Sequence, residues 1–288
     1  MNEKKQLRIA IQKSGRLYDD SIRMLRECGI ELNNGLQRLK AEAYNFPLEV
    51  FFLRDDDIPE YVAGGVADIG IVGENVLVET QADVQTVHRL GFGKCRLSLA
   101  IPKGKKYNSV EDFEGKRIAT TYVNVLEQFL KKRKVKAEIH EISGSVEIAP
   151  GIGLADAICD IVSSGSTLFT NGLKEVETVM KSEAVLIANK NLKSADLKII
   201  ERLLFRIQAV QQAKRNKYVL LNAPNDKLDL ITALIPGMKS PTILPLAKKG
   251  WSSVHSVIEE DRFWEIIEEL KKLGAQGILV VPIEKMVV

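Results

Sequence analysis

Short apolar runs alternate with longer stretches of helical spacing along nearly the whole chain. Residues 7–11 (LRIAI), 48–54 (LEVFFLR) and 67–73 (ADIGIVG) read as strands, rich in branched and aromatic side chains. Between them, a helix is predicted over residues 15–28, and a short one opens at Pro59, which suits a first helical turn, and ends at Gly64 and Gly65. A second block follows the same order, with CRLSLAIP (95–102), a capped helix at SVEDF (109–113), RIATTY (117–122), a helix over 124–134, KAEIHEI (136–142) and an apolar strand near 157–162. Ser109 and Asp112 have capping-box spacing. Alternation of this kind predicts α/β architecture.

Further on, strands are expected near 176–180 and 184–188. Leu197, Ile200, Leu203, Leu204, Ile207 and Val210 then trace one face of a connecting helix. From Lys217 the order becomes strand, helix, strand, strand, helix, strand, the βαββαβ pattern of a ferredoxin-like module. Its last helix is expected to be capped by Asp261 and ended by Gly274, with Phe263, Ile266, Ile267 and Leu270 covering a small antiparallel sheet.

The 288 residues suffice for two or three domains, and 45% hydrophobic and 27% charged residues describe a soluble globular chain. No apolar run approaches the roughly 20 residues that span a bilayer, and the opening MNEKKQLRIAIQ has too short an apolar run for a secretory signal. A cytoplasmic location is therefore expected. Cys28, Cys95 and Cys159, like His88, His140 and His255, are scattered without metal-ligand or CxxC spacing. A net charge of +3 is too small to point to nucleic acid, and the run Lys131 to Lys134 fits the end of a helix, where cations favour the dipole.

The most specific chemistry lies in EIAPGIGLADAICDIVSSGSTL, residues 147–168. An apolar strand with Asp156 and Asp160 as its charges runs into Ser163, Ser164, Gly165, Ser166 and Thr167, followed by Leu168. Hydroxyls, closely spaced N–H groups and a glycine able to take positive φ suit a phosphate. A helix starting near Thr167 would add its dipole. The acids ahead of this loop suit a sugar: Asp160, with Asp156 or Glu147, can accept ribose hydroxyls or hold a phosphate-bound Mg²⁺. A strand followed by an ordinary polar turn is the competing reading.

Three further loops follow strands, on the edge where α/β sheets usually meet ligands. In QKSGRL, Gly15 sits at the strand-to-helix turn and Lys13 and Arg16 offer cations for phosphate oxygens or, equally, the segment is a plain helix cap. In RDDDIP, Arg54 is the ligand candidate and Asp57 reads as an N-cap. In IVGENV, Gly73, Glu74 and Asn75 would approach a base or ribose. Neither GFGK (91–94) nor GIGLAD (151–156) has GxGxxG or Walker spacing.

The 147–168 run resembles the phosphoribosyl-pyrophosphate (PRPP) signature of the ATP phosphoribosyltransferases, matched at Glu147, Gly153, Asp160, Ser164, Gly165, Thr167 and Leu168. IAIQKSGRL, RDDDIP, ADIGIVGENVL, GKCRLSLAIP, GLKEVE, PGMKSPTILPLA and ILVVPIEKM extend the resemblance, to the long form of that family, over almost the whole chain. It implies two periplasmic-binding-protein-like α/β domains around a cleft, residues 1–96 with 182–213 and residues 97–181, and an ACT-like regulatory domain over 214–288. It also implies PRPP on Glu147, Asp156 and Asp160–Leu168, and ATP on Gly15, Arg16, Arg54, Gly73, Glu74 and Asn75. Lys13 and Arg16 would stabilise charge, and Mg²⁺ would arrive on the substrate phosphates. Inhibitory L-histidine would bind at Asn222, Met238, Ser240, Thr242 and Ser256, in a protein passing between dimer and hexamer. Two rivals share parts of this pattern. A two-lobed solute-binding protein should carry an export signal and needs no PRPP loop. A catalytically inactive histidine-responsive adaptor would tolerate loss of the 147–168 pattern.

Overall fold

The computed structural model describes residues 6–33, 39–163 and 165–287, which form two compact units, Met1–Ile200 and Glu201–Val288. Ser164, a candidate ligand of the phosphate loop, lies outside the described residues. No helix among them is long and apolar enough to cross a membrane.

The first unit begins with β1 (Leu7–Gln12), α1 (Arg16–Glu27), β2 (Lys40–Glu42) and β3 (Leu48–Leu53). There follow α2 (Ile58–Ala63), β4 (Ile69–Gly73), α3 (Glu74–Thr80) and β5 (Val84–Arg89). The chain then builds β6 (Cys95–Pro102), β7 (Arg117–Thr120), α4 (Val123–Arg133) and β8 (Glu138–Glu141). It continues through β9 (Ala157–Val162), α5 (Ser166–Thr170) and β10 (Leu173–Ser182), and returns to the first sheet with β11 (Ala184–Asn189).

Two sheets result. The first has order β2-β3-β1-β4-β11-β5 and the second β10-β6-β9-β7-β8. In each, the central pairs are parallel (β1 with β3 and β4; β9 with β7, which also pairs with β8), as βαβ crossovers require. The returning strands β11 and β10 run antiparallel to their neighbours. The chain crosses between the lobes twice, from β5 to β6 and from β10 to β11, and Glu183 is the single residue of the second crossing.

Burial follows the apolar pattern closely. In β9, Ala157, Ile158, Cys159 and Val162 are buried between lobe-filling clusters on both faces. Leu97 and Leu99 of β6, Leu126 of α4 and Ile118 of β7 share that core, each 0% exposed. Gly70 in β4 answers a packing need: a Cβ there would stand 2.7 Å from Ile58 Cγ2 and 3.0 Å from Val62 Cγ2, so its absence lets α2 lie directly on the sheet.

Two local expectations need correction. SVEDF forms only a 3₁₀ turn, Val110–Phe113, and Ser109 makes no side-chain cap. The Asp112 carboxylate instead accepts the Asn108 backbone N–H at 2.7 Å, so the short segment is closed by a turn and never develops a helix. Likewise Asp261 sits inside the first turn of the last helix, whose N-cap is Glu259, so it acts on the dipole.

From α6 (Ser194–Arg215) the chain enters the second unit: β12 (Asn216–Pro224), α7 (Leu228–Leu234), β13 (Thr242–Pro245), β14 (Trp251–Glu259), α8 (Glu260–Lys272) and β15 (Gln276–Pro282). All its pairings are antiparallel, in the order β13-β14-β12-β15, which is the ferredoxin-like topology. Phe263 and Leu270 of α8 join Val219, Leu221, Ile231 and Val254 in one core, with Ile266 and Ile267 packed against it.

Replacing Gly70 by Ala forces Ile58 and Val62 aside. The expected cost is about 1–3 kcal/mol of stability, read as a lower urea midpoint; an unchanged midpoint would show that α2 can lift off the sheet freely.

Candidate active site

β9 ends in the centre of its sheet, flanked by antiparallel β6 and parallel β7, so whatever follows it emerges at a sheet edge without backbone partners there. Gly165 caps the next helix at φ +80°, a conformation that costs other residues strain, and α5 starts one residue later, at Ser166. The helix is held down by Leu168, 5% exposed, and by Lys103, whose ammonium lies 3.4 Å from the Phe169 ring centroid and donates to the Phe169 carbonyl at 3.1 Å. The loop thereby presents Ser163, Ser166 and Thr167 outward.

Arg16, Glu147, Asp160, Ser163 and Gly165–Leu168 line one cavity of about 410 Å³, counting its open mouth. Arg16 comes from the other lobe, at the start of α1, and its guanidinium donates to Ser163 Oγ at 3.3 Å. Asp160 accepts the Ile161 backbone N–H at 2.7 Å. Burial raises its carboxyl above the usual carboxylate range, and the nearby negative charge of Glu147 raises it further. A pocket with two mutually repelling carboxylates beside a cradle of hydroxyls and N–H groups suits a ligand that brings both hydroxyls and a phosphate-borne cation. Oxygen donors of this kind fit Mg²⁺, although among the described residues no group of three or more His, Cys, Asp or Glu forms a metal cluster.

Other predicted residues fall elsewhere. Asp156 is engaged by Arg117, whose Nε and Nη2 donate at 3.2 and 3.1 Å, along with its backbone N–H at 3.1 Å. This fork holds the Asp156 carboxyl below its usual range, and the residue does not line the cavity. Lys13 is exposed at the end of β1 and Gly15, at φ +90°, caps α1; neither lines the cavity. Arg54 is exposed ahead of a 3₁₀ turn, Asp55–Asp57, in which burial and the flanking acids raise the Asp56 carboxyl. Asp57 makes no side-chain cap.

Glu74 is gripped by Arg89, with Nη1 donating at 2.9 Å, and Arg89 also reaches Glu183 at 3.1 Å. Asn75 is buried with both ends of its amide engaged: Oδ1 accepts from Ser182 Oγ at 2.7 Å and Nδ2 donates to Tyr122 Oη at 3.1 Å. Gly73 makes room for this, since a Cβ would stand 2.5 Å from Asn75 Oδ1.

Sequence reasoning missed a second, open cavity of about 820 Å³ counting its mouth, lined by Glu74, Arg89, Lys94, Arg96, Ser163, Lys181 and Glu183. Arg96 pairs with Glu175 and donates to the Ser163 carbonyl at 3.4 Å; Lys94 and Lys181 have no acidic partner among the described residues. The available signal was a pair of basic residues opening an otherwise apolar strand in GKCRLSL.

In the second unit, Ser256 is buried and donates to the Ile235 carbonyl at 2.8 Å. Gly237, at φ +65°, packs the loop carrying Met238 and Ser240 over it: a Cβ there would stand 3.1 Å from Ser256 Oγ. Thr242 is exposed opposite His255, and Asn222 is half-buried between β14 and β15.

Two α/β lobes, with hydroxyls and carboxylates from one and Arg16 from the other lining a single cavity, define a two-lobed protein built on the binding-protein fold. The model of the ATP phosphoribosyltransferase family HisG matches residues 54–209, and that of the HisG C-terminal domain residues 213–285. ATP phosphoribosyltransferases of Cytophaga hutchinsonii and Parabacteroides distasonis are 61% and 63% identical, over 98% of this chain and 98% and 100% of theirs. The HisG:HisZ complex of Thermotoga maritima contains a chain similar at 29% identity and a TM-score of 0.60, covering 70% of this chain and 99% of that one. A periplasmic sulfonate-binding protein of Methylobacillus flagellatus shares the fold at 17% identity and a TM-score of 0.51, over 73% of this chain and 68% of its own. The chain belongs to the ATP phosphoribosyltransferase family, in its long form.

The raised Asp160 carboxyl has a signed consequence. Its charge opposes folding above its raised native value, and this cost disappears as pH falls below the ordinary carboxylate value. Asp160→Asn should therefore unfold at higher denaturant than the parent at pH 7, with the gap narrowing toward acid. Its kcat/KM for PRPP should fall by about 100-fold or more. Lower stability at pH 7 together with parental kinetics would remove Asp160 from the site.

Proposed function

We propose that PRPP binds with its 5′-phosphate on the loop Ser163–Leu168 and its ribose at Asp160 and Glu147, and that ATP enters from the facing lobe. The observation that carries this reading is the Arg16 to Ser163 contact, which joins a cation of one lobe to the phosphate loop of the other inside a cavity containing both acids. The chain is an ATP phosphoribosyltransferase, the enzyme of the first step of histidine biosynthesis. Gly15, Arg16, Arg54, Gly73, Glu74 and Asn75 form the proposed ATP side. Asn75, being buried, shapes that side from beneath, Glu74, held by Arg89, lines the larger cavity, and Arg16 and Arg54 are the residues that meet phosphate oxygens.

In the reaction, the lone pair of an adenine ring nitrogen forms a bond to the anomeric carbon of PRPP. The bond from that carbon to the pyrophosphate oxygen breaks, and its electron pair leaves with pyrophosphate. No protein nucleophile is required, so the protein's contribution is alignment and charge stabilisation. Arg16 faces the phosphate loop and serves the second role, and Lys13, exposed just after β1, is the second proposed charge stabiliser. Asp160 and Glu147 fix the ribose. Mg²⁺ carried by the substrate phosphates neutralises part of their charge when bound, and Glu147 and Asp160 are the acids placed to meet it.

Residues 1–96 with 182–213, residues 97–181 and residues 214–288 are the proposed functional domains. The third is a histidine sensor with contacts from Asn222, Met238, Ser240, Thr242 and Ser256. Its edge strands expose Ile243, Leu244, Leu279, Val280 and Val281, an apolar surface suited to self-association into the proposed dimer and hexamer. A biosynthetic enzyme of this kind belongs in the cytoplasm.

Purified protein with PRPP, ATP, Mg²⁺ and pyrophosphatase should form phosphoribosyl-ATP, and added L-histidine should suppress it. Product insensitive to histidine would reject the sensing role, and folded protein that forms no product would reject the assignment of the cleft.

A further inference from the structure

Helix α4 begins without a cap of its own. Its N-cap residue is Tyr122, whose side chain makes no capping hydrogen bond, so the first N–H groups of an 11-residue helix need acceptors from elsewhere. They find them in the other lobe. Glu79 of α3 accepts the Asn124 N–H on Oε1 and the Val125 N–H on Oε2, each at 3.0 Å, and its backbone carbonyl accepts Asn124 Nδ2 at 2.8 Å. One carboxylate thus spans the lobes and sits where the helix dipole favours negative charge.

Asn75 lies four residues earlier, on the same face of α3. It donates to Tyr122 Oη at 3.1 Å while its backbone N–H and side chain both engage Ser182, on the strand that leads back between the lobes. From Tyr122 the bonding continues into the PRPP lobe. The Tyr122 N–H donates to Thr120 Oγ1 at 2.9 Å, and that hydroxyl donates to the Cys159 carbonyl at 2.7 Å, one residue before Asp160. The first residue of α3, Glu74, is on the proposed ATP side.

We propose that Glu79 is a positioning residue, which clasps α4 so that the ATP-side helix α3 and the strand carrying Asp160 are held at a fixed separation. The proposal rests on the substrate placement argued above. Glu79 lines neither cavity beside the phosphate loop, so its effect runs through alignment and leaves each half-site intact. The lobes are thus tied by side chains as well as by the two crossings of the chain.

The test compares Glu79→Ala and Glu79→Gln with the parent in the full-length enzyme, by steady-state kinetics and by amide hydrogen exchange without substrates. Small misplacements of reacting groups cost rate steeply, so Glu79→Ala should lose about 10- to 100-fold in kcat while KM for ATP and for PRPP stays within about threefold. Glu79→Gln keeps one acceptor oxygen and should fall between, and it supplies both readouts if the alanine variant does not fold. The Asn124 and Val125 amides should exchange about tenfold faster in the variants, with β6 and β9 unaffected. Parental kcat in a folded variant, a change confined to the KM of one substrate, or unchanged exchange at Asn124 and Val125 would each overturn the proposal. The exchange readout needs no turnover, so an inactive parent would sink the assigned reaction while the exchange rates at Asn124 and Val125 still decide the clasp.

Discussion

The structure depends on the burial of β9 between two neighbours. A strand whose Ala157, Ile158 and Cys159 are enclosed on both faces has no surface on which to carry chemistry, so its polar groups are confined to its carboxyl end. Asp160 marks that transition, half-buried and still within the strand, and the residues after it form the cradle. The cost of holding a carboxylate there is offset elsewhere in the core, as is common where function and stability compete. The loop is fixed by the core beneath it, and Arg16 reaches it from the first turn of α1 in the facing lobe.

A two-substrate reaction without a protein nucleophile places its demand on geometry. In the proposed arrangement each lobe has its own substrate to hold. The charge pattern serves that division. Arg89 neutralises Glu74 and Glu183, and Arg117 neutralises Asp156, so the acids left to meet a ligand at the phosphate loop are Asp160 and Glu147. Cationic character around Ser163 comes from Arg16 on one side and from Arg96, Lys94 and Lys181 on the other.

Much of this was legible in the sequence because it is local. The β9 run and its small-residue loop, the helix over α4 and the βαββαβ order of the last unit all follow from periodicity and turn residues within a few positions. What escaped depends on partners far apart in the chain. Asp156 is paired with Arg117, 39 residues earlier, a contact that no local pattern announces. Asn75 reads as a loop residue that would approach a base or ribose, and it lies buried against Ser182 and Tyr122. Glu79 carries no motif at all, because its partners are backbone N–H groups of another lobe. The helical reading of SVEDF failed for a smaller reason, since a competing side-chain bond to Asn108 ended the segment after one turn.

The central claim is that the Ser163–Leu168 loop is the seat of the PRPP 5′-phosphate, and a crystal structure of the enzyme with PRPP and Mg²⁺ tests it most directly. The 5′-phosphate should lie within hydrogen-bond distance of backbone N–H groups in residues 165–168, with the ribose hydroxyls against Asp160. PRPP bound elsewhere, with this loop free of phosphate, would contradict the claim.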